Sequence, residues 1–114
     1  MNPKSDYSNF LQLNEKNIND KSSFIVAAFY KFFDLKNKDN FQATLKLIFN
    51  NTSVKGTILL ANEGINGTIA GVPSELSKVL NELWNLECLY DLKPKYSFAE
   101  QNPFFRMKIR SEEH

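Results

Sequence analysis

Residues 54–71 read VKGTILLANEGINGTIAG, and the way this stretch folds back on itself decides the architecture. Val54, Gly56, Ile58 and Leu60 alternate with Lys55, Thr57, Leu59 and Ala61, the two-residue period of a strand with one face better buried than the other. A second apolar run follows within a few residues, so the stretch predicts a hairpin. Asn66-Gly67 is the dipeptide most prone to tight turns with positive φ; it places the turn there and leaves GTIA, residues 67–70, as a short partner strand.

Upstream, residues 24–33 read FIVAAFYKFF, β-branched and aromatic, free of Gly and Pro, and apolar on both alternating faces until Lys31. That composition predicts a central strand. The polar run DLKNKD follows, and then Phe41, Leu45, Ile48 and Phe49 recur at helical spacing behind Asp39, a cap with Gln42 three residues on. This helix is expected to end near Asn50 and Asn51. Downstream, Gly71, Pro73 and Ser74 open a second helix, with Leu76, Val79, Leu80 and Leu83 in one stripe and Trp84 extending it. A loop containing Tyr90, Pro94 and Pro103 leads to residues 104–110, FFRMKIR, where Phe105, Met107 and Ile109 alternate with Arg106, Lys108 and Arg110 in the expected last strand. The order strand, helix, strand, strand, helix, strand is the split βαβ arrangement: an α+β, ferredoxin-like sandwich, an antiparallel sheet with both helices on one face. Residues 1–23 mix Asn, Lys, Asp and Ser around isolated apolar residues without a sustained period, and read as a mobile arm ahead of a domain at 24–110.

Composition agrees with one domain: 114 residues, 42% hydrophobic, with ten Phe, carry enough apolar surface for one core and not two. The single Cys cannot form an internal bridge, which makes a reducing cytoplasmic setting the expectation. No stretch approaches the roughly 20 apolar residues of a membrane span, and the N-terminal residues lack the apolar core of a signal peptide. A net charge of +1 favours no polyanion in bulk, so any such site has to come from local segregation of charge.

The search for chemistry is mostly negative. The only histidine is His114, the last residue, so no histidine triad or histidine metal site can be assembled in a core, and no metal or cofactor site is expected. Cys88 has no basic activator nearby in sequence and reads as a small buried hydrophobe. Glu75 and Glu82 read as solvated positions on the second helix, not an acid/base pair. Gly64, Gly67 and Gly71 spell neither a Walker loop nor a dinucleotide fingerprint. Within the loop 62–67, Asn62 and Asn66 are the side chains that could bind an anion or nucleobase, against the plainer reading of a structural turn.

One constellation points to a partner. Residues two apart on a strand share a face, so Arg106, Lys108 and Arg110 form a positive row, which holds the only two arginines of the chain. In split βαβ topology the last strand lies beside the first, whose Lys31 face also carries Phe29 and Phe33; Lys55 lies on the less apolar face of the second strand. If these faces coincide, cations interleave with aromatics on the open side of the sheet, a combination suited to phosphates and unpaired bases. The alternative makes Phe29 and Phe33 a contact with another domain and the basic row a solvated edge. The strand GTIA lacks the aromatic signature of an RNA-recognition module.

The blocks YKFFDL, VKGTILLANEGINGTIAG and DLKPKYSFAEQNPFFRMKIR resemble the N-terminal domain of the bacterial rhodanese-containing tRNA hydroxylases, which make 5-hydroxyuridine at the wobble position. The resemblance runs from about Phe24 to Arg110 and implies an acylphosphatase-like fold, tRNA as the partner through its anticodon arm, and molecular oxygen as co-substrate. Members of that family continue into a rhodanese domain whose loop Cys is the proposed catalytic residue. Cys88 does not match it, so the resemblance places no catalytic residue here and implies a fragment in which residues 111–114 begin the linker to a missing rhodanese domain. Three functions follow: a tRNA-recognition or substrate-positioning module, a structural domain that only docks the rhodanese domain, or an acyl-phosphate hydrolase. Acylphosphatases hold phosphate with an Arg in the loop after the first strand; here residues 34–39 offer only Lys36 and Lys38.

Overall fold

The computed structural model describes residues 2–15 and 23–112. Its elements are α1 (Pro3–Leu13), β1 (Phe24–Phe32), α2 (Lys38–Asn50), β2 (Lys55–Ala61), β3 (Gly64–Gly71), α3 (Pro73–Trp84), a one-turn 3₁₀ helix (Glu87–Leu89), β4 (Lys95–Ala99) and β5 (Met107–Ser111). The five strands form one sheet in the order β4-β1-β3-β2-β5. All neighbours are antiparallel except β2 and β5, which run parallel. The run from β1 to β4 is the expected α+β split βαβ sandwich. Its closing strand, however, is β4, in a segment read as loop because it is five residues long and lies between Pro94 and Pro103. FFRMKIR supplies a fifth strand on the far edge, beside β2 and three positions away from β1.

Strand alternation divides the sheet cleanly. Ile25, Ala27 and Phe29 of β1, Ile69 of β3, Ile58 and Leu60 of β2 and Ile109 of β5 are buried on the helix side, under Leu45 and Phe49 of α2 and Leu76, Val79, Leu80, Leu83 and Trp84 of α3. Trp84 also donates its Nε1–H to the Leu92 carbonyl at 2.8 Å, which ties the loop after the 3₁₀ turn to the end of the helix. The N-cap of α2 is Asn37, whose side chain accepts the Asn40 amide at 3.1 Å; Asp39, expected as the cap, sits inside the first turn, where its charge suits the helix dipole.

The hairpin turn also differs from expectation. It falls at Asn62 and Glu63, and Asn66-Gly67 lies inside β3. Gly64 carries the positive φ, 144°, and a Cβ there would sit 2.1 Å from the Lys31 carbonyl oxygen. The close approach of β1 therefore fixes the glycine requirement one strand position after the turn, ahead of the local preference of Asn-Gly.

The first part of the expected mobile arm is helix α1. Asn2 accepts the Lys4 amide at 2.8 Å, Pro3 occupies the first turn and Tyr7 is buried. Tyr96 and Phe98 pair across β4–β1 with Ala27 and Ile25, so they project to the helix side, and α1 covers them: Tyr7 and Phe10 lie 5.2 and 5.3 Å from the Tyr96 ring, and Phe10 stacks on Phe98 at 5.0 Å. The Tyr7 hydroxyl donates to the Pro73 carbonyl at 2.9 Å. Burial pushes the phenols of Tyr7 and Tyr96 above the ordinary tyrosine range. Three helices, not two, thus share the covered face. Residues 16–22 of the expected arm and residues 113–114 of the expected linker lie outside the described residues.

Candidate nucleic-acid interface

The side of the sheet away from the helices carries the remaining residues of each strand in straight rungs. One rung reads Lys95, Ala28, Thr68, Thr57, Lys108 across all five strands, with a lysine at each edge. The next reads Tyr30, Asn66, Leu59, Arg110, and beyond it Phe32 stands beside Gly64 and Ala61. At about 4.8 Å per strand, the two edge lysines stand roughly 19 Å apart. Between them Tyr30 and Phe32 are 71% and 77% exposed and meet edge to face at 5.7 Å. Cations at both sheet edges thus accompany an exposed aromatic pair on β1, the strand next to the β4 edge.

The expected site residues divide. Lys108, Arg110, Lys55 and Asn66 share this face, the first two and Asn66 exposed and Lys55 half-buried. Arg106 is exposed just ahead of β5, and its carbonyl accepts the Gly56 amide at 3.1 Å. Asn62 is exposed in the turn, where its carbonyl accepts the Leu35 amide. Phe29 and Lys31, expected on the open face, belong to the opposite one. Phe29 is only 4% exposed and is core. The Lys31 ammonium donates to the Cys88 carbonyl at 2.6 Å and to the Asp91 carboxylate, 5.3 Å from the Tyr90 ring centroid and 5.9 Å from that of Phe33. The residues missed are Tyr30, Phe32 and Lys95. Strand parity could have found the first two, because the odd positions of FIVAAFYKFF hold the compact Ile25 and Ala27 that helices pack against, leaving the even positions open.

Next to Tyr30 the face dips. Ala28, the smallest side chain of β1 there, is flanked directly by Lys95 and Thr68, and the loop into β4 rises beside it. The result is a groove of about 480 Å³ whose rim includes Tyr30, Asn66, Thr68, Asp91, Lys93 and Lys95. The Lys31 hydrogen bond holds the Asp91 carboxyl below the usual carboxylate range. Burial pushes the Cys88 thiol up, keeping it protonated and a poor nucleophile at neutral pH. Among the described residues no group of three His, Cys, Asp or Glu could hold a metal ion, and no helix is long and apolar enough to cross a membrane. In the loop after β1, the Phe33 and Leu35 amides donate to the Glu63 and Asn62 carbonyls, both at 3.0 Å, so neither is free to cradle an anion.

Residues 24–114 match the UPF0176 acylphosphatase-like domain. The chain belongs to that family. Curated relatives named tRNA uridine(34) hydroxylase align over most of the chain. That of Acaryochloris marina is 46% identical over 89 residues, 78% of this chain and 29% of the relative. Those of Caulobacter vibrioides and Wolbachia pipientis are 44% and 42% identical, over 78% and 77% of this chain and 28% and 32% of their own lengths. The chain therefore spans less than a third of the relatives it matches. Among solved structures, full-length HypF in its phosphate- and nucleotide-bound form superposes with a TM-score of 0.51 at 14% identity, over 77% of this chain and 12% of that one, a likeness of fold alone. α1 lies upstream of the residues that the family match covers.

Proposed function

We propose that this chain serves a tRNA uridine(34) hydroxylase as its tRNA-positioning domain, using the open face of the sheet. The carrying observation is the exposed pair Tyr30 and Phe32 set between the cationic edges at Lys95 and at Lys108 and Arg110. Aromatic rings hold unpaired bases by stacking and flanking cations hold phosphates, which suits the single-stranded loop of an anticodon arm better than a duplex. The relatives' name supplies the substrate class. In this reading the oxidation of uridine, with molecular oxygen as co-substrate, belongs to a rhodanese domain partnered with this one, in the cytoplasm where tRNA is matured. An acyl-phosphate hydrolase is disfavoured because the Phe33 and Leu35 amides after β1 are occupied and the loop has no Arg.

The test is titration of the chain with an anticodon stem-loop, comparing wild type with the Lys108→Ala, Arg110→Ala double variant and with Tyr30→Ala. Weak, salt-sensitive binding that falls in both variants supports the proposal. Absence of binding, or binding unchanged in both variants, overturns it in favour of a domain that only docks its neighbour. Protection of Tyr30 and Phe32 by another domain in a full-length relative would do the same.

A further inference from the structure

Resting on that reading, we infer that the groove over Ala28 is a site for one unstacked ribonucleotide, with its base against Tyr30, the base edge toward the Asn66 amide and its phosphate toward Lys93 and Lys95. The volume, about 480 Å³, lies in the range of small-molecule sites. Its floor is backbone and a single methyl group, because β1 places Ala28 between Lys95 and Thr68. A planar group can therefore descend to the sheet beside the Tyr30 ring, which pairs directly across β1–β3 with Asn66. Side chains so paired stand about 5 Å apart, close enough for one base to touch both. An amide offers one donor and one acceptor side by side, the pattern a base edge requires.

Charge selects the rest of the ligand. Of the ionisable residues lining the groove, Asp91 is the only carboxylate, and it is already engaged by Lys31. Among the described residues Lys93 and Lys95, on the β4 side, stand in no ion pair; Lys93 lies near enough to Asp91 to help lower its carboxyl, yet the three lysines that line the groove outnumber its one carboxylate by two. An anion bound there sits across the groove from the Asn66 amide, and a nucleotide, with polar base edge and phosphate at opposite ends, meets both. Neither the basic strand β5 nor the exposed Phe32 lines this groove, which separates it from the wider surface.

The experiment follows backbone amide resonances of the whole chain during titration with uridine 5′-monophosphate, with uridine and with inorganic phosphate. Expected are shifts at Ala28, Tyr30, Asn66 and Thr68 with the nucleotide, and shifts confined to Lys93 and Lys95 with phosphate. Ala28→Leu, which fills the floor from the solvent side, and Lys95→Glu should each weaken nucleotide binding about tenfold or more and leave the unfolding midpoint in place. A nucleotide that leaves Ala28 and Tyr30 unmoved at millimolar concentration, or binds Ala28→Leu as well as wild type, overturns the inference. Stem-loop binding with a silent groove sinks the nucleotide site and keeps the RNA-binding domain. An occupied groove without stem-loop binding keeps the nucleotide site and removes the proposed function.

Discussion

The Phe29 ring lies directly against Gly67: a Cβ at residue 67 would stand 2.9 Å from Phe29 Cζ and 3.0 Å from Ile58 Cγ1. β1 and β3 pair at this point, so the glycine is the socket into which the aromatic side chain fits. The contact decides which face of β1 is core and, through alternation, leaves Tyr30 facing solvent.

Gly67→Ala should accordingly destabilise the chain by about 1–3 kcal/mol through overpacking, and Phe29→Ala by about 3–5 kcal/mol through the cavity it leaves. Urea unfolding of the two single variants and the double variant checks this. In the double variant the added methyl occupies part of the cavity, so the sum of the single losses should exceed the double loss. Simple additivity would mean that the two residues do not form a socket.

Helix α1 gives a prediction with a pH signature. Tyr7→Phe removes the hydrogen bond to Pro73 and should cost about 1 kcal/mol at neutral pH. The buried phenol resists ionisation in the folded chain and ionises near pH 10 in the unfolded one. Its contribution is thus fully present below pH 10 and declines as pH rises beyond it. Stability measured from pH 8 to 11 should fall less steeply in Tyr7→Phe than in wild type. Equal slopes would place Tyr7 in water and detach α1 from β4.

The Lys31–Asp91 pair acts at the other end of the scale. The Asp91 carboxyl is depressed by its Lys31 hydrogen bond, so its contribution is present above the ordinary aspartate range and fades as pH falls through the lowered value. Asp91→Asn should flatten the loss of stability between pH 5 and 2 by a small amount, because the carboxylate is exposed and the pair is screened. Lys31→Met should be costlier than Asp91→Asn, because it also leaves the Cys88 carbonyl without its donor. Thermal unfolding at pH 3 and pH 7 separates the two effects.

How much of this was legible in the sequence depends on whether local pattern or tertiary contact decided each element. Alternation in residues 54–60 and the apolar stripe of α3 were decided locally, and both strand face and helix emerge as read. β4 was not, because five residues between two prolines acquire a strand's identity only by pairing with β1. Helix α1 was hidden for a similar reason: only Tyr7 is buried, and its partners Tyr96 and Pro73 lie far along the chain. The candidate site failed on parity. One lysine, Lys31, looked like the marker of a solvent face, yet it reaches the end of the helix side and is satisfied there by Asp91 and the Cys88 carbonyl. Of the basic row, Lys108 and Arg110 share one face of β5 while Arg106 lies just ahead of the strand, and the expected neighbour was wrong, since β5 borders β2.

Acyl-phosphate hydrolysis should be absent. Purified chain incubated with acetyl phosphate should release phosphate at the uncatalysed rate, because the amides of Phe33 and Leu35 are already bonded to the hairpin turn. Cys88→Ser should leave RNA binding as it is, the thiol being half-buried and protonated. Turnover above background would restore the loop after β1 as a phosphate site.

The sharpest contrast lies between adjacent aromatics of β1. Phe29 is 4% exposed and Tyr30 is 71% exposed, so the two substitutions should fail in opposite ways. Tyr30→Ala should leave the urea midpoint nearly unchanged and cost about 1–3 kcal/mol of binding to a single-stranded anticodon loop, while Tyr30→Phe keeps the ring and most of the affinity. Duplex RNA, whose bases stack on each other, should not distinguish these variants from wild type. Lys108→Ala and Arg110→Ala should weaken both RNAs alike and lower the log–log salt slope by about 0.7 to 0.9 for each phosphate contact removed. Phe29→Ala, if folded enough to assay, should lose stability first and affinity only in proportion to the unfolded fraction. Tyr30→Ala binding the loop as tightly as wild type would show that the exposed ring stacks on no base, and the exposed pair would then be better read as a seat for another domain.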